Sequence, residues 1–308
     1  MKKHLLLTLS LLMAWGSASA LPKGAGSPKL MAGVPEGVMA PVWSPSGDKI
    51  AFTTDNYTGI MVIDANGQNL KSVTNEPGAG YKMAWSSDGK QILGRVNIVE
   101  NYRTFHEVKL YDIAAGKATT VVVKTRALKG VPTWKGINQI SIADKAGLRY
   151  KTVGKPGASK PVSVSAYDLM MNDPAGAASQ LPELKQFAGK IIINPALSAD
   201  GNKVAFQIPG KGIFVCNSDG SGVKQVAKGS HPSWLADGKS IVVSRVSDDG
   251  TRFTASELYA IDIESGKEVL LTGNSSIIPL TPAVSPDGKK VVFENATDAK
   301  LYIIDLKY

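Results

Sequence analysis

Apolar and polar positions along this chain fall into short strand-like runs, and one phrase opens nearly every group of them. It reads Pro41-Val42-Trp43-Ser44-Pro45-Ser46-Gly47-Asp48-Lys49-Ile50-Ala51-Phe52 and returns as Met83-Ala84-Trp85-Ser86-Ser87-Asp88-Gly89-Lys90-Gln91-Ile92-Leu93. Further copies begin at Pro195, Pro232 and Pro282, with a weaker one at Pro132, so Trp43, Trp85, Trp134, Leu197, Trp234 and Val284 share one repeat position. An apolar residue ends a strand, a Gly-containing polar turn reverses the chain, and the β-rich run after it forms the partner strand. The phrase therefore predicts a hairpin in each of its copies.

A second phrase follows most copies, as in Ile60-Met61-Val62-Ile63-Asp64 and Leu258-Tyr259-Ala260-Ile261-Asp262, and predicts a third strand ending in another turn. A fourth strand follows in the complete units, for example at 70–74 and 267–272. Four antiparallel strands recurring about every 40 to 50 residues describe the blades of a β-propeller. The expected fold is all-β, a single six-bladed β-propeller of four-stranded antiparallel blades over residues 21–308. The last unit stops at Tyr308, after its third strand, while residues near Leu30 to Val34 have the layout of a fourth strand leading into a new blade. An N-terminal strand is thus expected to close the last blade and remove a free edge. Blade 3 reads as degenerate, with an insertion at about 154–190 and one short helical turn near 182–187.

Composition narrows the functional classes. The first twenty residues have the layout of a secretory leader, with Lys2 and Lys3 before the apolar run from Leu5 to Trp15 and small residues Ala18-Ser19-Ala20 at the cleavage site. Export to the periplasm or release from the cell is expected, with the mature chain starting near Leu21. No Cys follows the cleavage site, which disfavours a lipid anchor, and no other run reaches the roughly 18 apolar residues of a membrane span. The single Cys excludes an intramolecular disulfide and multi-Cys metal sites, and three His leave little for a His-rich centre. The formal charge of +9 falls to +7 without Lys2 and Lys3. That charge suits an acidic partner or an anionic envelope surface. Nucleic acid is not expected, because the Lys residues are scattered through turns without a dense stripe.

The repeats, best seen in Ser44-Pro45-Ser46-Gly47 and Ser285-Pro286-Asp287-Gly288, resemble those of TolB-like propellers, periplasmic components of the Tol system, over essentially the whole mature chain. TolB proteins carry an α/β domain before the propeller, whereas here only residues 21–28 precede the first predicted strand. The resemblance implies a stand-alone propeller that binds an envelope protein or peptide, without enzymatic activity, as a monomer. Similar repeats also occur in the propellers of prolyl oligopeptidase-type peptidases, so the repeat marks the fold more than the function.

In a four-stranded blade the turns after the first and third strands share one face of the ring. The second-to-third loops and the inter-blade connections share the other, and binding is expected on this loop-rich face and the channel mouth. The candidates are Tyr57, Tyr81, Tyr102, Arg103, Phe105, His106, Arg252 and Phe253, because Arg with aromatic residues is the composition of interface hot spots. The stretches 97–107 and 247–254 are expected to be long variable loops. The repeat-position Trp residues are read as inter-blade packing and Cys216 as a buried thiol. The Asp- and Asn-rich segments 64–69 and 217–222 are read as turns, since neither ends in the Glu of a calcium-binding EF-hand loop. No catalytic residue, metal ligand or cofactor is assigned. Two alternatives stay open: a propeller hydrolase or lyase with a channel metal, and a glycan-binding propeller.

Overall fold

The structure, a computed structural model, describes residues 20–154, 164–273 and 276–308. All of the expected leader but Ala20 lies outside the described residues. Six antiparallel sheets follow one another in sequence order and form the blades of a six-bladed β-propeller. Blade 1 comprises Val38–Trp43, Lys49–Thr54, Ile60–Asp64 and Lys71–Thr74, each strand paired with the next. Blades 2, 4 and 5 repeat this plan with first strands at Ala84–Trp85, Ile193–Leu197 and Ser230–Trp234.

The second strand of a blade is covered on both faces by its neighbours, which explains its continuous apolar run. Ile50, Ala51 and Phe52 have no exposed surface, and the same holds for Val204-Ala205-Phe206 and Ile241-Val242-Val243. Burial of each large side chain here contributes about 1.5–3 kcal/mol. The core is accordingly divided among the seams between blades; Ala51, Ile60 and Val62 of blade 1, for instance, meet Met83, Trp85 and Ile92 of blade 2.

The repeat-position Trp residues latch these seams. Trp43 Nε1 donates to the Ala283 carbonyl of blade 6 (3.0 Å), Trp85 to Val42 of blade 1 (3.2 Å), Trp134 to Ala84 of blade 2 (3.1 Å) and Trp234 to Ala196 of blade 4 (2.9 Å). Each indole thus packs its apolar body in the seam and satisfies its N–H on the preceding blade. In the copies of blades 1, 2, 4 and 6 the Ser after the repeat position is buried and serves the turn. Ser198 Oγ donates to Asp200 (2.6 Å) and accepts the Lys203 N–H (2.9 Å), and Ser86 and Ser285 do the same with Asp88 and Gln91 and with Asp287 and Lys290.

The ring closes as expected by an N-terminal segment, but earlier in the chain than residues 30–34. Lys23–Gly24 and Lys29–Leu30 both pair with Lys300–Lys307, the third strand of blade 6, and Met31 N donates to the Leu301 carbonyl. By Gly33 the chain has already turned toward blade 1. A Cβ at Gly33 would stand 2.5 Å from the Gly67 carbonyl oxygen, and the φ of +73° favours glycine, so the strand cannot continue there.

Blade 3 has three strands among the described residues, Thr133–Lys135, Gln139–Asp144 and Gly147–Thr152. Its insertion holds more helix than the single expected turn: α1 (Ala166–Asn172), α2 (Pro174–Gln180) and a 3-10 helix (Pro182–Phe187). Ser165 and Asp168 form a reciprocal capping box on α1, and Asp173 caps α2 with Pro174 in its first turn. These are local signals in helices too short to show an apolar period. The helices fill the seam between blades 3 and 4, burying Leu169, Met170, Leu184 and Phe187 against Val204, Phe206 and Phe214. The buried Asp168 carboxylate ties the wedge to blade 3 through Lys135 Nζ (2.7 Å) and Tyr150 Oη (3.1 Å).

Candidate functional site

The first strand of each blade lines the channel, and at its beginning five blades repeat one backbone feature. Ala40, Lys82, Asn194, His231 and Thr281 all adopt a left-handed conformation, with φ of 53°, 50°, 51°, 51° and 44°. Four of them precede a Pro and Lys82 precedes Met83. In blades 1, 4, 5 and 6 the pairing register shifts at this point, which marks a β-bulge. A bulge re-aims the side chain it carries, and the left-handed region is unfavourable for non-glycine residues, most of all for the β-branched Thr281. The backbone is uniform here while the side chains are Ala, Lys, Asn, His and Thr. The left-handed backbone repeats around the ring; the chemistry displayed on it belongs to this chain.

These residues line a cavity of about 520 Å³ at the channel mouth, on the face of the inter-blade connections. Its walls include Pro41, Pro195, Pro232, Pro282 and Met83, with Met171 contributed by α1. Tyr57, from the turn between the second and third strands of blade 1, meets Tyr81, from the blade 1 to 2 connection, edge to face (4.9 Å between centroids, 76°). The volume suits a small ligand or a few residues of a peptide.

Electrostatically the mouth is cationic. Burial, with help from the Arg95 charge, pushes the Lys82 ammonium down to about 8, and burial lowers Arg95 as well. Burial and the Lys82 charge press His231 down to about 4, so its imidazole is neutral at pH 7. Glu294 is the acid beside this cluster; its Oε2 accepts the Ala40 N–H (2.7 Å), and burial raises its pKa. Burial also raises the Tyr57 phenol, with Tyr81 and Glu294 adding smaller contributions.

Of the eight residues expected from the sequence, the structure brings Tyr57 and Tyr81 together at this mouth. The others stand on two long hairpins. Residues 97–107 are not a loop: Gln91–Glu100 pairs with Arg103–Asp112 without interruption, and a two-residue turn at Asn101-Tyr102, both with positive φ, reverses the chain. Tyr102 is fully exposed at that tip. Arg103 faces Glu100 across the ladder, Phe105 lies under Lys124 Nζ (4.8 Å), and His106 Nδ1 sits 3.0 Å from Asn97 Oδ1. Residues 247–254 likewise belong mostly to the strands Ser240–Asp248 and Phe253–Asp262, leaving a short tip at 249–252. In both stretches the antiparallel ladder of the blade runs on past the ring, so strands replace the expected loops. Arg252 and Phe253 line a separate open cavity of about 800 Å³ between this hairpin and blade 6.

Sequence reasoning passed over Lys82, Arg95, Asn194, His231 and Thr281. Four of these share the repeat column just before the Pro or Met that opens each phrase, and aligning the copies by that column shows variation beside constant neighbours. Arg95 sits inside the second strand of blade 2, in the column that follows the apolar run and holds Thr53, Gln207, Ser244 and Glu294 in blades 1, 4, 5 and 6, so a polar residue there drew no notice.

Elsewhere the chemistry is structural. Cys216 is buried, and burial pushes its thiol up to about 12. Asp64 accepts from Lys49 Nζ of the paired strand (2.8 Å) and from Asn69 Nδ2 of its own turn (2.7 Å). No group of three or more His, Cys, Asp or Glu fit to hold a metal occurs among the described residues. No helix among them is long and apolar enough to cross a membrane.

Solved structures similar to this chain are propellers at low identity. The β-propeller domain of Cps50 (Swd1) from Myceliophteria thermophila is 12% identical with a TM-score of 0.56, and the match covers 91% of this chain and all of that domain. TolB from Acinetobacter baumannii is 16% identical with a TM-score of 0.45, over 89% of this chain and 65% of that one. An oligogalacturonate lyase from Vibrio parahaemolyticus is 14% identical with a TM-score of 0.48, over 86% and 76%. No protein-family model matches the chain, and no curated protein matches it by sequence. The fold defines the class as a six-bladed β-propeller with a concave, cationic, aromatic mouth.

Proposed function

We propose that this chain is a non-enzymatic binding propeller that takes a protein or peptide segment at the channel mouth. The observation that carries this reading is the convergence of Tyr57, Tyr81 and the ring of left-handed residues on one cavity. Left-handed strain on non-glycine residues is found where function needs a fixed side-chain direction, and paired tyrosines supply rigid contact area at small entropic cost. The reading includes export to the cell envelope or beyond, resting on the leader pattern of residues 1–20, and action as a monomer on an envelope partner.

Affinity capture from an envelope extract tests it, comparing the native chain with Tyr57→Ala/Tyr81→Ala and with Tyr102→Ala/Phe105→Ala/Arg252→Ala/Phe253→Ala. A partner retained by the native chain and the hairpin variant, but lost by the mouth variant, is the expected result. A partner lost only by the hairpin variant moves the site to the hairpins and overturns the mouth reading.

A further inference from the structure

Lys82 and Arg95 converge on one aromatic ring. Lys82 Nζ lies 5.8 Å and Arg95 Cζ 5.2 Å from the Tyr81 centroid, within range of cation–π attraction. That attraction does not replace an anion. Arg95 Nη1 donates to the Gly130 carbonyl (3.1 Å), while its Nε is buried with no hydrogen-bond partner among the described residues. Lys82 has burial and a like charge as its main influences, with no acid among them. His231 is neutral, and Glu294, whose Oε2 accepts the Ala40 N–H, is not among the charges that act on Lys82 or Arg95. Buried cations are ordinarily paired, because an unpaired one is costly to desolvate. Two largely buried cations against the Tyr81 ring, which lines the mouth, mark a place where the missing charge arrives from outside.

We propose that Lys82 and Arg95 form an anion subsite of the channel mouth that takes a carboxylate of the bound peptide, from an acidic side chain or its C-terminus. The inference rests on the mouth being a peptide site. A peptide fits the surroundings better than a sugar, since prolines, methionines and the Tyr57–Tyr81 pair give the cavity apolar walls next to the cations.

The test follows Lys82 by NMR in protein carrying 13Cε-labelled lysine, with Lys82→Arg identifying its signal. The probes are acetyl-Gly-Ala-Glu-amide, acetyl-Gly-Ala-Gln with a free C-terminus, the acid-free acetyl-Gly-Ala-Gln-amide, and digalacturonate. Either carboxylate-bearing peptide is expected to bind at least about tenfold tighter than the acid-free one and to raise the Lys82 pKa by about one unit, the equivalent of that factor. Which of the two does so names the source of the carboxylate. Lys82→Met, its folding checked by thermal denaturation, is expected to erase the preference, and Lys82→Arg to restore most of it. Equal binding of all three peptides with Lys82 unmoved overturns the anion subsite and leaves the peptide mouth standing. A Lys82 shift with digalacturonate but no binding of any peptide overturns the peptide reading together with this inference. Lys82 unmoved by every probe overturns the subsite.

Discussion

Each first strand has two ends, and they follow opposite rules. At the turn end, backbone and side chains both repeat: Trp latches to the preceding blade, and the Ser and Asp of the turn satisfy one another and the backbone. At the mouth end only the backbone repeats. The left-handed conformation recurs in five blades while its side chain changes each time, and among the described residues the nearby Arg95 Nε is buried with no hydrogen-bond partner. Where the whole constellation recurs, the repeat maintains the ring; where geometry recurs and chemistry does not, the ring presents something specific. The same division separates stability from binding.

Removing a latch is expected to have the largest effect. Trp85→Ala deletes a nearly buried indole and its bond to Val42, and should cost about 3–5 kcal/mol in denaturant unfolding. If the mutant retains stability, the latch account of the turn end fails.

Acid titration should distinguish the ends by pH. His231 is held neutral by burial, with a folded pKa of about 4 against an ordinary 6.5, so the unfolded chain takes the proton first. Its contribution is intact above pH 6.5 and is lost as pH falls toward 4, a change on the order of 3 kcal/mol. His106, also lowered by burial, acts in the same direction. The turn carboxylates behave differently: Ser86 and Ser198 hold Asp88 and Asp200 below their ordinary 3.8, and their contribution is lost only as pH falls through that value and lower. Stability against pH should therefore show two separate declines, and His231→Asn should flatten the upper one. An unchanged upper decline in that variant would remove His231 from the account.

Relieving the mouth of a buried charge should stabilise it. Lys82→Met is expected to raise stability at pH 7 by roughly 1–3 kcal/mol. With a folded pKa of about 8 against 10.5 unfolded, Lys82 makes the native protein gain stability as pH rises from 8 to 10.5, a gain the variant should lack. The smallest effect belongs to a single turn. Ser198→Ala removes one donor to Asp200 and one acceptor for Lys203 N, and should cost about 1–2 kcal/mol, read from the denaturation midpoint, without altering peptide binding at the mouth.

Much of the fold was legible because its determinants are local and repeated. Asp-Gly turns, β-branched runs and the spacing of Trp43, Trp85, Trp134 and Trp234 each act within a few residues, and repetition multiplies a weak signal. The helices at 166–180 were missed because each is held by one cap and by burial against blades 3 and 4, which no short window of sequence contains. The hairpin stretches 97–107 and 247–254 were mistaken for loops because polar residues such as Asn97, Arg103 and Thr254 alternate there and obscure continued pairing. Tyr57 and Tyr81 were identified as candidates by residue type, but nothing in their local sequences says that their rings meet.

What the chain's sequence determined by itself was the ring: six hairpin phrases, an incomplete last blade, and an N-terminal segment able to complete it. Tertiary structure alone decided the mouth. Lys82, Asn194, His231 and Thr281 are ordinary residues in four different blades, and their meeting depends on closure of the ring and on the left-handed turn that each adopts beside the channel. Strand propensity and turn chemistry act over neighbouring residues, so they can be read in order along the chain. Burial, charge proximity and the absence of a counter-ion depend on what the other blades place nearby, and they come into being only when the circle is complete.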